Sequence, residues 1–323
     1  MLLAAGAIII GFIILIWSAD VFVHGAASIA KSLGMSPILI GLTIVSLGTS
    51  APEVLVSITA SLSGAGTLAV GNAIGSNIAN VALVLGTTVL VAPLMVREQC
   101  MKKEMPLLLA VTAGVGLLIL DGTLSTLDGW IMLLALALIV YQLMRSQAED
   151  MEMIAAEEVD HHPMSNARAW LTFMFGLALL IVSSKILVWG AERAAIELGV
   201  SELVIGLTIV AIGTSLPELA ATIASALRGH TEIALGNIIG SNLFNLLAVM
   251  SIPGILAPQV LAPQVLSRDY LTMSFLTLFL AVAIFVSQRR SKSSPGHAYL
   301  GRMVGILLVS FYGLYYYLLH STL

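Results

Sequence analysis

Apolar residues along this chain fall into long runs, each closed by a short cluster of charge, proline or glycine. A helix rises 1.5 Å per residue, so about 20 apolar residues cross the hydrocarbon of a bilayer. Ten runs meet or approach that length, at 3–23, 38–61, 68–92, 105–120, 127–144, 169–189, 203–226, 233–257, 270–287 and 303–320. The pattern predicts a helix for each, with no room between them for a soluble domain. The expected fold is an all-α polytopic membrane protein with ten transmembrane helices.

Composition agrees, since 59% of the 323 residues are hydrophobic and 10% charged, where a soluble domain carries about 25% charge. The first run begins at Met1 with no basic leader before it, and reads as a retained helix rather than a cleaved signal. Cys100 has no partner for a disulfide and reads as incidental. The longest polar stretch, 145–168, divides five runs from five and carries Glu149, Asp150, Glu152, Glu157, Glu158 and Asp160. This predicts a first five-helix half over 1–144, an acidic cytoplasmic linker over 145–168 and a second five-helix half over 169–323. His161 and His162, inside the linker, read as part of a solvated charge run.

With the amino terminus outside, eleven of the fourteen lysines and arginines fall in cytoplasmic loops, leaving Lys185, Arg193 and Arg268. The positive-inside rule therefore predicts both termini outside, in a plasma membrane or, in a bacterium, the inner membrane. Tyr312, Tyr315, Tyr316 and Tyr317 read as an interfacial aromatic belt. Asp20 and Lys185 lie near predicted span ends, where Lys185 would snorkel to the interface.

Compared with itself at an offset of 165, the chain matches at 25 of the 56 positions from Ile38 to Pro93. Gly48-Thr49-Ser50-Ala51-Pro52-Glu53 returns as Gly213-Thr214-Ser215-Leu216-Pro217-Glu218. Gly71-Asn72-Ala73-Ile74-Gly75-Ser76-Asn77 returns as Gly236-Asn237-Ile238-Ile239-Gly240-Ser241-Asn242, and Asn80 as Asn245. Apolar composition alone does not hold Gly, Pro, Asn and Glu in gapless register, so the halves are duplicates. Five spans per half is an odd number, which sets the second copy upside down relative to the first. Many secondary transporters are built as such inverted-topology repeats.

The chemistry concentrates in the repeated segments. Glu53 and Glu218 are the carboxylates well inside a predicted span, and a charge at that depth costs at least about 2.5–3.5 kcal/mol on insertion scales. Pro52 and Pro217 precede them, and proline removes a backbone donor and clashes with the carbonyl four residues earlier. Each helix is therefore expected to break at Gly48-Thr49-Ser50 and Gly213-Thr214-Ser215, with broken helices at the midplane. Backbone oxygens freed at that depth must be buried in protein or satisfied by an ion or water. Carbonyls, hydroxyls and carboxylates are the ligands of hard cations such as calcium and sodium. No histidine or thiolate lies in the apolar core to suggest zinc or copper. Gly71, Gly75, Gly236 and Gly240 also suit a small-residue packing face between helices.

These paired motifs resemble the α-repeats of the calcium/cation antiporter superfamily, in its sodium/calcium exchanger branch. The resemblance implies a diamond-shaped cluster of cation sites at mid-membrane. Carried over position by position, it makes Glu53 and Glu218 the shared carboxylate ligands, and the carbonyls of Thr49 and Thr214 would complete a calcium site. It assigns sodium to Ser50, Ser76, Ser215 and Ser241 with the carbonyls of Ser46 and Ala211, and matches Asn80 to the family's asparagine. Asn245 departs from the resemblance, which has aspartate there, so familiar ion ratios do not transfer directly. The first and sixth spans are those that the resemblance would have slide across the core; Gly25-Ala26 and Gly190-Ala191 sit near their ends.

The function expected is secondary antiport of calcium against sodium or another monovalent cation, with proton or potassium coupling as alternatives. A cation channel fits inverted, broken helices less well. An intramembrane enzyme would need a nucleophile and base or a metal motif, and neither His-Glu-x-x-His nor a nucleotide-binding Gly-x-x-x-x-Gly-Lys-Ser/Thr sequence occurs. The expected partners are the bilayer and the transported cations. Nothing in the sequence suggests a resident cofactor, a nucleic acid or a protein partner.

Overall fold

The computed structural model describes residues 1–154, 165–199, 211–290 and 297–321. His161, His162, the run 203–210 and Lys292 lie outside the described residues. Along the chain, α1 spans Leu2–Leu33, α2 Pro37–Thr49, α3 Ala51–Leu62, α4 Gly66–Val91, α5 Glu104–Leu118 and α6 Thr126–Ile154. They are followed by α7 at Asn166–Glu197, α8 at Ala211–Thr214, α9 at Leu216–Leu227, α10 at Thr231–Leu256, α11 at Val265–Arg289 and α12 at Arg302–Ser321. Seven of these are long and apolar enough to cross a bilayer, and α2 with α3 forms one further, broken span.

Burial sorts the helices into layers. The windows of α4 and α10 are 72% and 94% buried, whereas those of α1 and α7 are 28% buried, so α4 and α10 form the centre and α1 and α7 lie on the outside. At 32 residues each, α1 and α7 are longer than their apolar runs alone predict. They pack antiparallel through glycine. A Cβ on Gly25 would lie 2.5 Å from the Phe173 backbone, and one on Gly176 would lie 2.5 Å from that of Phe22. Gly11 against Leu187 and Gly190 against Ala4 extend the same seam. At the offset of 165, Gly11 is equivalent to Gly176 and Gly25 to Gly190, so the seam maps onto itself when the halves are exchanged.

Repeat-equivalent turns also match. Gly64 and Gly229, which follow α3 and α9, have φ of 76° and 78°, a left-handed backbone open to glycine without a Cβ clash. Close crossings hold α2 to α10, where a Cβ on Gly236 would meet the Ile38 carbonyl oxygen at 2.5 Å and one on Gly240 the Leu42 carbonyl oxygen at 2.5 Å. The small-residue face expected for these glycines is therefore present on α10.

Several features differ from the sequence expectation. The run 105–120 gives a helix of 15 residues, too short by itself for a full crossing at about 1.5 Å per residue. Leu94–Arg97 pairs antiparallel with His297–Leu300, and Thr123–Leu124 with Gln259–Val260. These short ladders satisfy backbone groups at the ends of spans, and no alternating pattern announced them. The tyrosines do not form a simple belt. Tyr312 and Tyr315 are buried, Tyr315 donates from its hydroxyl to Asp269 at 3.1 Å, and Tyr317 is the exposed one at 71%.

Asp20 is not at a helix end but within α1, where it pairs with Arg228 just past α9. His230 lies close by in the turn before α10. Burial, followed by the nearby charges of Arg228, Lys31 and His24, holds its imidazole below the usual histidine range. A base whose pKa is lower folded than unfolded binds more protons when unfolded, so its stability contribution is intact above the unfolded value and is lost as pH falls. Thermal melts should therefore show a lower melting temperature at about pH 5.5 than at about pH 7.5. The drop should be smaller in His230→Asn; an equal drop would remove His230 as a cause.

Candidate cation site

The site is built on two helix breaks. At Ser50 the chain turns 45° between α2 and α3, with Ser50 at φ −82° and ψ 4°. Ser215 separates α8 from α9 with nearly the same values, φ −88° and ψ 5°. Pro52 and Pro217 each take the second position of the following helix, where the missing N–H breaks no bond inside that helix. The break expected from the sequence is present at both copies. Ser184 of α7 donates to the carbonyl of Gly213 at 3.1 Å, the oxygen that Pro217 leaves without its usual N–H partner.

The breaks present Glu53 and Glu218 inside the protein, at 1% and 0% exposure. Ser50 Oγ donates to Glu218 Oε1 at 3.2 Å, which brings the two breaks together across the halves. Thr49 Oγ1 donates to Asn237 Oδ1 at 3.1 Å, and Asn237 Nδ2 donates to Thr222 Oγ1 at 2.9 Å. Neither glutamate has an ion-pair partner among the described residues.

Helices α4 and α10 supply the amides and further hydroxyls. Asn80 lies in a π-helical turn over Ala79–Leu85, and Asn245 opens one over Asn245–Val249. Such turns widen a helix locally and recur at functional sites; no residue pattern signals them. Among the described residues, the side-chain oxygen and nitrogen of both asparagines are buried without a hydrogen-bond partner, as are Glu53 Oε2, Glu218 Oε2, Ser215 Oγ and Ser241 Oγ. Ser76 is also buried. Asn77 instead braces the centre, donating to the Asn242 carbonyl at 3.2 Å. Ser46 Oγ donates back to Leu42, and its carbonyl accepts the N–H of Ser50 at 2.9 Å. Ala211 opens α8, and Thr214 at its other end is half-buried.

Buried polar atoms are normally paired. So many oxygens without partners around two carboxylates, with no lysine or arginine among the described residues paired to them, fit a cation as the missing partner. Calcium and sodium take such neutral and anionic oxygens. Among the described residues no three His, Cys, Asp or Glu side chains gather as they would for a transition metal. Sequence reasoning missed Ser184 and Thr222, which support this region, because a lone hydroxyl in a span carries no periodic signal.

A helical membrane protein with two broken spans around paired buried carboxylates is, by class, a secondary cation carrier. The chain belongs to the sodium/calcium exchanger protein family, whose sequence model matches residues 3–145 and 168–320. It is 48% identical over 264 residues to CaxA of Alkalimonas amylolytica, a candidate antiporter, covering 80% of this chain and 82% of that one. It is 40% identical over 264 residues to the inner membrane protein YrbG of Escherichia coli, covering 80% and 81%. The fold matches the solved sodium-calcium exchanger NCX_Mj, soaked with 2.5 mM Na+ and 0.1 mM Ca2+, with a TM-score of 0.81 at 29% identity over 97% of each chain. The protein is thus an integral membrane cation antiporter of this family, and not an enzyme.

Proposed function

We propose that this antiporter exchanges calcium for sodium by alternating access, the two halves 1–144 and 169–323 acting as inverted repeats joined by the cytoplasmic linker 145–168. The observation that carries the reading is the pair of buried carboxylates, each with an oxygen that no group among the described residues satisfies. Calcium would take the carboxylates of Glu53 and Glu218 with the carbonyls of Thr49 and Thr214. Sodium would take Ser50, Ser215, Ser76 and Ser241, the carbonyls of Ser46 and Ala211, and the amide oxygens of Asn80 and Asn245. Because Asn245 is neutral, the site holds two negative charges, balanced by one calcium or two sodium ions, and a third sodium would be poorly solvated there. With the basic loops inside, both termini face outward and Arg228 faces the cytoplasm.

The exchange reading predicts uptake of labelled calcium into proteoliposomes loaded with sodium and diluted into sodium-free medium. Loading with potassium, or an acid interior, should give background uptake. Uptake that follows the potassium or pH gradient instead would replace sodium as the coupling ion.

A further inference from the structure

A cavity of about 360 Å³ between α3 and α7 brings two charges close to the broken spans. Its walls include Pro52 and Thr214, which stand at the two breaks, and Lys185 and Glu192 of α7. Ser184 donates to the Gly213 carbonyl at 3.1 Å, and Val188 leaves no room for a Cβ on Gly213. The turn of α7 that holds Lys185 is therefore packed directly on the second break. Glu192 lies seven residues further along α7, two turns on and on the same face.

Lys185 lies inside its apolar run, which continues to residue 189. Ionisable groups within a span face the bundle interior or a water-filled cavity, and Lys185 lines such a cavity. Among the described residues it forms no ion pair, so its ammonium acts on a cation that enters there. The duplicated halves keep Gly-Thr-Ser-x-Pro-Glu but not this charge. At the offset of 165, Lys185 is equivalent to Asp20 and Glu192 to Ala27, and Asp20 pairs with Arg228. A base stands in one half where the other half has an acid, so the two routes to one pair of carboxylates carry different fields.

We propose that Lys185 is a specificity-determining residue of the face that carries this cavity, and that it holds calcium affinity there low relative to sodium affinity. The energy of a cation beside a fixed charge scales with the charge of the cation. The penalty on calcium is therefore twice that on each sodium, and the fold-change in affinity is squared. Two sodium ions carry the charge of one calcium, so the exchange equilibrium is untouched. What changes is the concentration at which each ion occupies the site from this side, and calcium leaves here more readily. Glu192, further along the cavity wall, opposes Lys185 with the opposite sign.

The test uses sodium-loaded right-side-out and everted membrane vesicles from cells expressing the full-length carrier. Initial uptake of labelled calcium gives the half-saturating calcium concentration. Its inhibition by sodium in the medium, at calcium well below half-saturation, gives that for sodium. Lys185→Gln should lower the calcium value about tenfold and the sodium value about threefold, sizes expected of a fixed charge acting through a wet cavity. Lys185→Arg should keep both values, and Glu192→Gln should raise both, calcium again by the square of the sodium change. A non-transported salt should shrink the Lys185→Gln effect, since the screening length is about 10 Å at 0.1 M. Arg193→Gln, which removes an exposed α7 cation outside the cavity wall, is the control and should shift calcium less. The changes should be larger from the face that carries the cavity. Equal fold-changes for the two ions, the same loss in Lys185→Arg, or equal effects from both faces would overturn the proposal. Should Lys185→Gln not fold, Glu192→Gln carries the same test with the opposite sign. The inference rests on the exchange reading, which fails separately if sodium loading drives no uptake by the unmodified carrier. Sodium-driven uptake whose constants ignore Lys185→Gln would defeat the role of Lys185 alone.

Discussion

Glu53→Gln and Glu218→Gln should each abolish calcium transport while leaving a folded protein. Glutamine keeps the size and one acceptor oxygen, so the break and the Ser50 contact to position 218 survive. What is lost is half of the fixed negative charge facing a divalent ion in a water-poor interior. Removing one partner of a buried charged pair costs about 2–5 kcal/mol, or roughly thirty- to several-thousand-fold in affinity. Calcium-binding isotherms on the purified variants, with thermal melts as a fold control, measure this directly. Near-normal calcium affinity in either variant would take that residue out of the site.

The second large effect is expected at Gly240. A Cβ there would stand 2.5 Å from both the Leu42 carbonyl oxygen and Ser46 Oγ. The hydroxyl can rotate aside, but the backbone oxygen cannot, so α10 must move away from α2 beside the ion ligands. Overpacking of this kind costs about 1–3 kcal/mol. Gly240→Ala should lower the melting temperature by several degrees and reduce calcium affinity, and Gly240→Val should do more. Gly114→Ala, where nothing stands within 4 Å of the added carbon, is the control. Equal melting of the Gly240→Ala and Gly114→Ala variants would contradict the close crossing.

Much of this could be read before any coordinates. Long apolar runs report a bilayer because helix length and hydrocarbon thickness are tied, and Pro52 and Pro217 report broken helices because proline lacks an N–H. The gapless offset between the halves located both breaks. Bonding between distant segments was harder to read. The pairing of Asp20 with Arg228 joins residues 208 apart in sequence, and the Leu94–Arg97 ladder finds its partner near the other end of the chain. The π-helical turns at Asn80 and Asn245 depend on packing between α4 and α10 rather than on local preference. Most instructive is the contrast between Asn72 and Asn237. They stand in matching motifs yet bond differently, Asn72 to the Glu53 carbonyl and Asn237 to Thr49 and Thr222, because tertiary neighbours rather than the local motif choose the partner.

Exchange of calcium for sodium at a single two-carboxylate site fixes the equilibrium calcium distribution across proteoliposomes. With the imposed sodium ratio varied and the membrane potential clamped, two-for-one exchange makes the calcium ratio follow the square of the sodium ratio and ignore the potential. Each uncompensated charge moved per cycle would instead add about 2.3 kcal/mol per 100 mV. A calcium distribution that tracks the potential and is indifferent to sodium would exclude sodium-coupled exchange at this site.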